Sequence, residues 1–384
     1  MTVDAIALTQ AFIRTEGLSG AEEKMAELVQ TTMQALGYRD IERDEFGSVV
    51  GRVGPPSNRA ALLFDGHMDV VKVTGRWSVN PFGGIIKEGR LYGRGATDMK
   101  GGLAAAICGV ALAARTGHLN REVAVSASVL EEVIEGVALG AVLDRIKPEM
   151  VVICEPSDMT IKTGQRGRIE IILVVEGIPA HAAHPDRGLN PIDLAVQGLA
   201  ALSALPMPKL DDFGRGLLVA TDVISEPYPS VSLIPSKVAV RFDRRILPGE
   251  TVEDIKEQMT EALMPIHRTA FKIEISRDPI RTFTGREITA PRFLAAWQID
   301  RDHQLVRAAA EGLREAGGEP RLGVYSFCTN GSESAGRRGI PTIGIGPGRE
   351  EDAHTIDESV GVEELRLATE AYRNLALKLA GRDY

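Results

Sequence analysis

The chain has 384 residues, 44% hydrophobic and 25% charged, which suits one large or two medium globular domains. A net charge of -9 with no lysine-rich run argues against a nucleic-acid partner, because phosphate binding needs concentrated Lys and Arg. No apolar run approaches the ~18 residues of a membrane span, and "MTVDAIALTQAFIRTEG" lacks the basic-then-apolar pattern of a signal peptide, so no membrane partner is expected.

The first helical signal is "SGAEEKMAELVQTTMQALG". Ser19 and Glu22 form a capping-box pattern, Met25, Leu28, Val29, Met33 and Leu36 follow at helical spacing, and Gly37 stops the helix. Short apolar runs then alternate with helical segments: "AALLFDG", "GGLAAAICGVALAARTG", "EVAVSASVLEE", "ALGAVLDRI" and "EMVVICEP". That alternation predicts an α/β sheet of mostly parallel strands. After Gln165 the character changes. The strand-like "RGRIEIILVVEG" leads into a helix-like "NPIDLAVQGLAALSAL", the strands "LLVATDVISEP" and "SKVAVRFDRRIL", a helix from Thr251 and the strand "FKIEIS". Near Arg281 the first pattern resumes, with a helix over His303–Ala316 and the strand-like "IPTIGIG". The expectation is a catalytic α/β domain made of residues 1–165 and 281–384, interrupted by an inserted α+β domain over 166–280. Three scattered cysteines, Cys108, Cys154 and Cys328, read as buried thiols of a cytoplasmic protein rather than a disulfide framework.

Ligand-type residues collect where the predicted strands end. His67 follows "ALLFDG", Glu131 and Glu132 follow "VAVSASVL", Glu155 follows "MVVIC", and His354 follows "TIGIGPGREEDA". Asp98 lies in the Gly-rich "YGRGATDMKGG" just before a helix. In an open α/β sheet, ligands bind outside the carboxyl ends of the strands. Imidazole with carboxylate suits zinc, or a similar ion such as cobalt or manganese. Asp98 can bridge two ions ~3.5–4 Å apart. Asp69 sits where it can accept the second ring N–H of His67, a contact that orients a ligating imidazole. A glutamate pair on a helix surface is ordinarily solvated, but Glu131–Glu132 ends an apolar strand, where two carboxylates need a metal or a proton. One can bind metal while the other takes a proton from activated water.

"GHMDVV", "GRGATDMKGG", "EE", "CEP" and "AHT", in this order and spacing, resemble the zinc aminoacylase and carboxypeptidase family of metallopeptidases. Its members include acetylornithine deacetylase, succinyl-diaminopimelate desuccinylase and glutamate carboxypeptidase. The resemblance implies a zinc-exopeptidase-like fold with the inserted domain as lid and dimerisation module. It implies that His67 and Glu155 hold one zinc, Glu132 and His354 the other, and Asp98 both. Asp69 would orient His67, Glu131 would be general base and acid, and a cis peptide would follow Asp98.

In "EGIPAHAAHPDRGLNPI" the matching residue is His181, which the family lends to the partner subunit's active site in a homodimer; His184 reads as an ordinary polar residue. "VAVRFDRRILPGE" resembles the family's Asp-x-Arg-x-x-Pro-Gly segment. Strand alternation puts Arg241, Asp243 and Arg245 on one face, opposite Val238, Val240 and Phe242. Arg245 is a candidate clamp for a substrate carboxylate, with a surface ion pair as the competing reading. His118, His267 and His303 have no partner pattern and read as surface residues, and "GIGPG" lacks dinucleotide-binding spacing. "RTFTGREITAPRFLAAWQIDRDH" and "SFCTNGSESAGRRGIPTIGIGPG" look most similar to a branch of hydrolases associated with selenium and purine catabolism, which would bring Asn330 and Ser332 near the substrate.

The resulting expectation is a two-zinc amidohydrolase that cleaves a small N-acyl or carbamoyl amino acid or dipeptide. Zinc-activated water would attack the amide with Glu131 as base. An exopeptidase acting on longer peptides and a non-catalytic metal-binding relative are the competing readings.

Overall fold

A computed structural model describes residues 3–381, so the outermost ends of the expected catalytic domain lie outside the described residues. The chain divides into two units. The first runs to Gln165 and takes in Ile280–Ile288 and the chain from Gln298 onward, and the second comprises Arg166–Pro279 and Thr289–Trp297.

In the first unit the strands lie in the order Arg39–Arg43, Val49–Val53, Val123–Ser128, Leu62–His67, Val151–Ile153, Thr342–Gly344 and Ile161–Gln165. Leu62–His67 runs parallel to both neighbours, and Thr342–Gly344 runs parallel to Val151–Ile153. Arg39–Arg43 and Val49–Val53 add an antiparallel edge. All six residues of Leu62–His67 are buried, as are all six of Val123–Ser128. A parallel sheet covered on both faces requires this, which is why these strands read as unbroken apolar runs.

Helix Gly101–Arg115 covers one face together with Val362–Ala380. Gly109 lets those two helices touch, because a Cβ there would lie 2.5 Å from the carbonyl oxygen of Thr369. With the preceding turn, Ala96–Arg115 is long and apolar enough to pass for a membrane span, yet 94% of its apolar window is buried in the molecule. It is a core helix.

The second unit is an antiparallel sheet in the order Leu217–Glu226, Lys237–Ile246, Gly167–Glu176 and Phe271–Ile275. Gly167–Glu176 alternates buried and half-buried residues, the signature of a sheet with one covered face. Ile169, Ile171, Leu173 and Val175 meet Leu194, Leu202, Ile255, Met259 and Leu263 from helices Pro191–Ser203 and Val252–Leu263. Asn190 caps the first helix, and Thr251 with Asp254 forms a capping box on the second. Thr289–Trp297, expected in the catalytic domain, belongs to the second unit because Phe293 and Leu294 pair with Ile169 and Arg168.

The expected capping box at Ser19 and Glu22 is corrected. The helix is Glu23–Leu36, its N-cap is Glu22, and neither side chain caps it. Ser19 donates to the distant Asp69, and Glu22 accepts from the nearby Gly20 and the distant Leu130, so neither side chain is spent on the helix's own N–H groups. His303 is also not a plain surface residue: it caps helix Gln304–Glu315 by accepting from the N–H of Leu305.

Candidate metal centre

His67 ends its strand with its ring fully buried. Its Nδ1 lies 2.9 Å from the carbonyl oxygen of Asp69, which fixes the hydrogen on Nδ1 and leaves Nε2 as a ligand atom. The Asp69 carboxylate lies 3.5 Å from the same nitrogen, so the backbone carbonyl makes the shorter of the two Asp69 contacts to the ring. Around Nε2 lie Asp98 Oδ1 at 3.0 Å, Glu155 Oε1 at 3.5 Å and Glu131 Oε2 at 3.9 Å. On the other side, His354 Nε2 lies 2.8 Å from Glu132 Oε2 and 3.3 Å from Asp98 Oδ2. The two oxygens of Asp98 thus face two different imidazoles.

Asp98 is delivered by the tight turn Ala96–Lys100, with a cis peptide between Asp98 and Met99. Gly102 seats the following helix against the strand end that carries Glu155, since a Cβ there would lie 2.1 Å from the Cys154 carbonyl oxygen. In each of two trios, His67 with Asp98 and Glu132 and His67 with Glu131 and Glu155, the ligand atoms all lie within 4.8 Å of one another. Glu131, Glu132 and Glu155 each carry a buried oxygen with no hydrogen-bond partner. A divalent cation is what such a donor set fits: oxygen and imidazole ligands, lone pairs unspent, and excess negative charge.

The electrostatics point the same way. Burial pushes the carboxyl groups of Glu131 and Glu155 well above the ordinary range, with help from their like-charged neighbours. Burial and the Asp98 charge raise Glu132 to about 7. Burial also disfavours a charged Asp98, but its hydrogen bonds to His354 and His67 win and hold it below the usual range. Those to Asp98 and Glu132 raise His354 to about 10. Burial pulls His67 down, yet Glu155, Asp69 and Asp98 overcome it and hold the ring well above its ordinary value.

An outer layer holds these groups. Glu358 accepts the N–H groups of Thr97 and Asp98 at 3.0 and 3.1 Å, and pairs with the buried Arg94 at 2.5 Å. Asn330 is buried and fully engaged: its amide donates to Asp65 and Ser128, and its oxygen accepts from Gly136 N–H at 2.6 Å. It therefore ties the loop after Glu132 to the sheet rather than offering a group to substrate. Ser332 is buried beside Gly136. His181 and Arg245 lie in the second unit. His181 is exposed, on the short strand Ala180–His181 paired with Leu233–Ile234. Arg245 makes a 2.8 Å ion pair with Asp243, the competing reading for that side chain.

Residues 63–378 match the description of peptidase family M20/M25/M40. The chain belongs to that family. Membership makes it a metallohydrolase of amide or peptide bonds. The M20 chain is 30% identical over 366 residues to YgeY, an uncharacterized protein of Escherichia coli K12, covering 93% of this chain and 89% of YgeY. It is 28% identical over 392 residues to succinyl-diaminopimelate desuccinylase of Phenylobacterium zucineum, covering 96% and 97% of the two chains. Its fold matches YXEP of Bacillus subtilis, described as a dinuclear metal binding peptidase of the M20 family, with a TM-score of 0.71. That match has 15% identity and covers 98% of this chain and 97% of the other.

Sequence reasoning missed the buried Arg94–Glu358 pair that holds the Thr97–Asp98 backbone. An arginine set between two glycines, Arg94 in "YGRGATD", was the available signal.

Proposed function

We propose that this M20 chain is a two-zinc amidohydrolase that removes an acyl or carbamoyl group from a small amino acid or dipeptide. The observation that carries the reading is Asp98, whose two oxygens face the separate imidazoles of His67 and His354. His67 and Glu155 would hold one ion and Glu132 and His354 the other, with Asp98 shared. Ions held there would polarise the amide carbonyl and lower the pKa of water to ~7.

The rest falls to the chain's own residues. Glu131, buried beside His67 with Oε1 unspent, takes the proton of the attacking water and then delivers it to the departing nitrogen. A raised proton affinity suits it to hold that proton between the two steps. His181 of the partner subunit would donate to the oxyanion as it forms. Arg245 would clamp a substrate carboxylate, exchanging its bond to Asp243 for the bidentate one. Asn330 and Ser332 shape the site from behind.

A homodimer through the second unit is part of the proposal. Leu217–Glu226 is an edge strand with Val219 and Val223 more than half exposed, and helix Pro191–Ser203 exposes Ile192 and Val196. An apolar edge of that kind invites pairing with another strand. A cytoplasmic setting is supported by three buried thiols that form no disulfide.

Removal of an N-acyl group accords with the desuccinylase relative. The name of the Bacillus subtilis neighbour favours peptides as the second reading. Turnover of N-acetyl, N-succinyl, N-formyl, N-carbamoyl and dipeptide substrates by the zinc-loaded chain, beside longer peptides, separates the two. Faster cleavage of tri- and tetrapeptides than of every N-acyl amino acid would overturn the first.

A further inference from the structure

Three consecutive backbone N–H groups at the glutamate pair are held by two buried carboxylates. Leu130 N–H donates to Glu22 Oε1 at 3.2 Å, Glu131 N–H to Asp69 Oδ1 at 3.1 Å and Glu132 N–H to Asp69 Oδ2 at 3.2 Å. Leu130 itself adopts a left-handed backbone, φ 59°, which a branched side chain resists unless its surroundings impose it. The turn that aims Glu131 and Glu132 is therefore set from outside.

Both setting groups depend on the segment before helix Glu23–Leu36. The Ser19 hydroxyl donates to Asp69 Oδ2 at 2.7 Å, which fixes the rotation of that carboxylate so that each oxygen meets its own N–H. Glu22 is fully buried and also accepts from Gly20 N–H at 2.9 Å. The segment is pinned beside the end of the His67 strand, since Leu18 bridges to Val70 and Val70 N–H donates to the Gly17 carbonyl at 2.9 Å.

We propose that Ser19 and Glu22 are positioning residues of the metal centre, acting through Asp69 and the Leu130–Glu132 backbone to aim the Glu131–Glu132 pair. Neither touches a reacting atom. The inference rests on the two-ion reading above, and outer partners of metal ligands typically carry 10–100-fold in metal affinity.

The test is titration of the metal-stripped chain with Zn2+ by calorimetry, together with the absorption spectrum of the Co2+ form. The variants are Ser19→Ala, Ser19→Thr, Glu22→Leu and Glu22→Gln. Ser19→Ala and Glu22→Leu should weaken at least one ion by 10–100-fold and alter the cobalt bands. Ser19→Thr keeps the hydroxyl and Glu22→Gln keeps an acceptor for both N–H groups, so each should stay near the wild type. If Glu22→Leu does not fold, the contrast of Ser19→Ala with Ser19→Thr decides. Unchanged affinities and spectra in Ser19→Ala overturn the inference, as does a loss that only follows the fraction of unfolded chain. A wild-type chain that binds fewer than two ions overturns the two-ion reading itself, and the inference falls with it.

Discussion

Asp98 and Glu131 sit a few ångströms from the same imidazole, His67, yet their substitutions should separate. Asp98→Asn leaves a poor bridge and should weaken both ions together, measured by elemental analysis after dialysis; full retention of both would exclude bridging. Glu131→Gln should keep both ions and lower kcat at least ~100-fold, the scale of general acid–base catalysis. Wild-type turnover in that variant would mean another group is the base. Proton linkage gives a further prediction. Glu132 at about 7 and His354 at about 10 must shed protons to bind metal, so metal and proton compete. Apparent affinity should rise with pH from 6 toward 10, and loading at pH 7 should release protons. Calorimetry in buffers of different ionisation heat reads the release, and identical heats in all buffers would refute it. His67, Glu131, Glu132 and Glu155 were legible because each closely follows an apolar run, whereas Asp98 in its tight turn and His354 in its loop were legible only through the motifs around them. Ser19 and Glu22 were misread because a capping box is a local pattern, whereas the partners they take, Asp69 and Leu130, are distant in sequence.

The strands divide by how they could be read. Leu62–His67 and Val123–Ser128 announce themselves as continuous apolar runs, and Gly167–Glu176 and Lys237–Ile246 by alternation. Phe293–Leu294 is two residues long, too short for any period, and its membership in the second unit comes wholly from pairing with Ile169 and Arg168. Leu217–Glu226 shows the reverse: easily read as a strand, but exposed along most of its length. If its edge is the dimer contact, Val219→Lys with Val223→Lys should yield monomers in sedimentation while leaving helix and sheet content intact. A dimer of unchanged affinity would move the contact elsewhere.

At the scale of the molecule, the proposed reaction joins groups from two chains. Homodimers of His181→Ala and of Glu131→Gln should both be nearly inactive. A heterodimer has one site with both defects and one with neither, so mixing and subunit exchange should restore activity. A mixture as inactive as its parents, with exchange confirmed, would show that His181 does not act in trans. The inserted organisation was legible as a change from βα alternation to one-faced strands near Gln165 and back near Arg281. Its finer border was not, since the chain crosses between units again at Thr289 and Trp297.

One strand carries a consequence for synthesis. Thr342–Gly344 lies between Val151–Ile153 and Ile161–Gln165, two strands made long before it. Until that strand leaves the ribosome, the first sheet has a gap in its middle and His354 does not yet exist. Nearly all of the second unit, by contrast, is a continuous stretch that can close as soon as it emerges. The unit begun first is thus the last to be finished, and a growing chain cannot assemble the full proposed ligand set before its first sheet is complete.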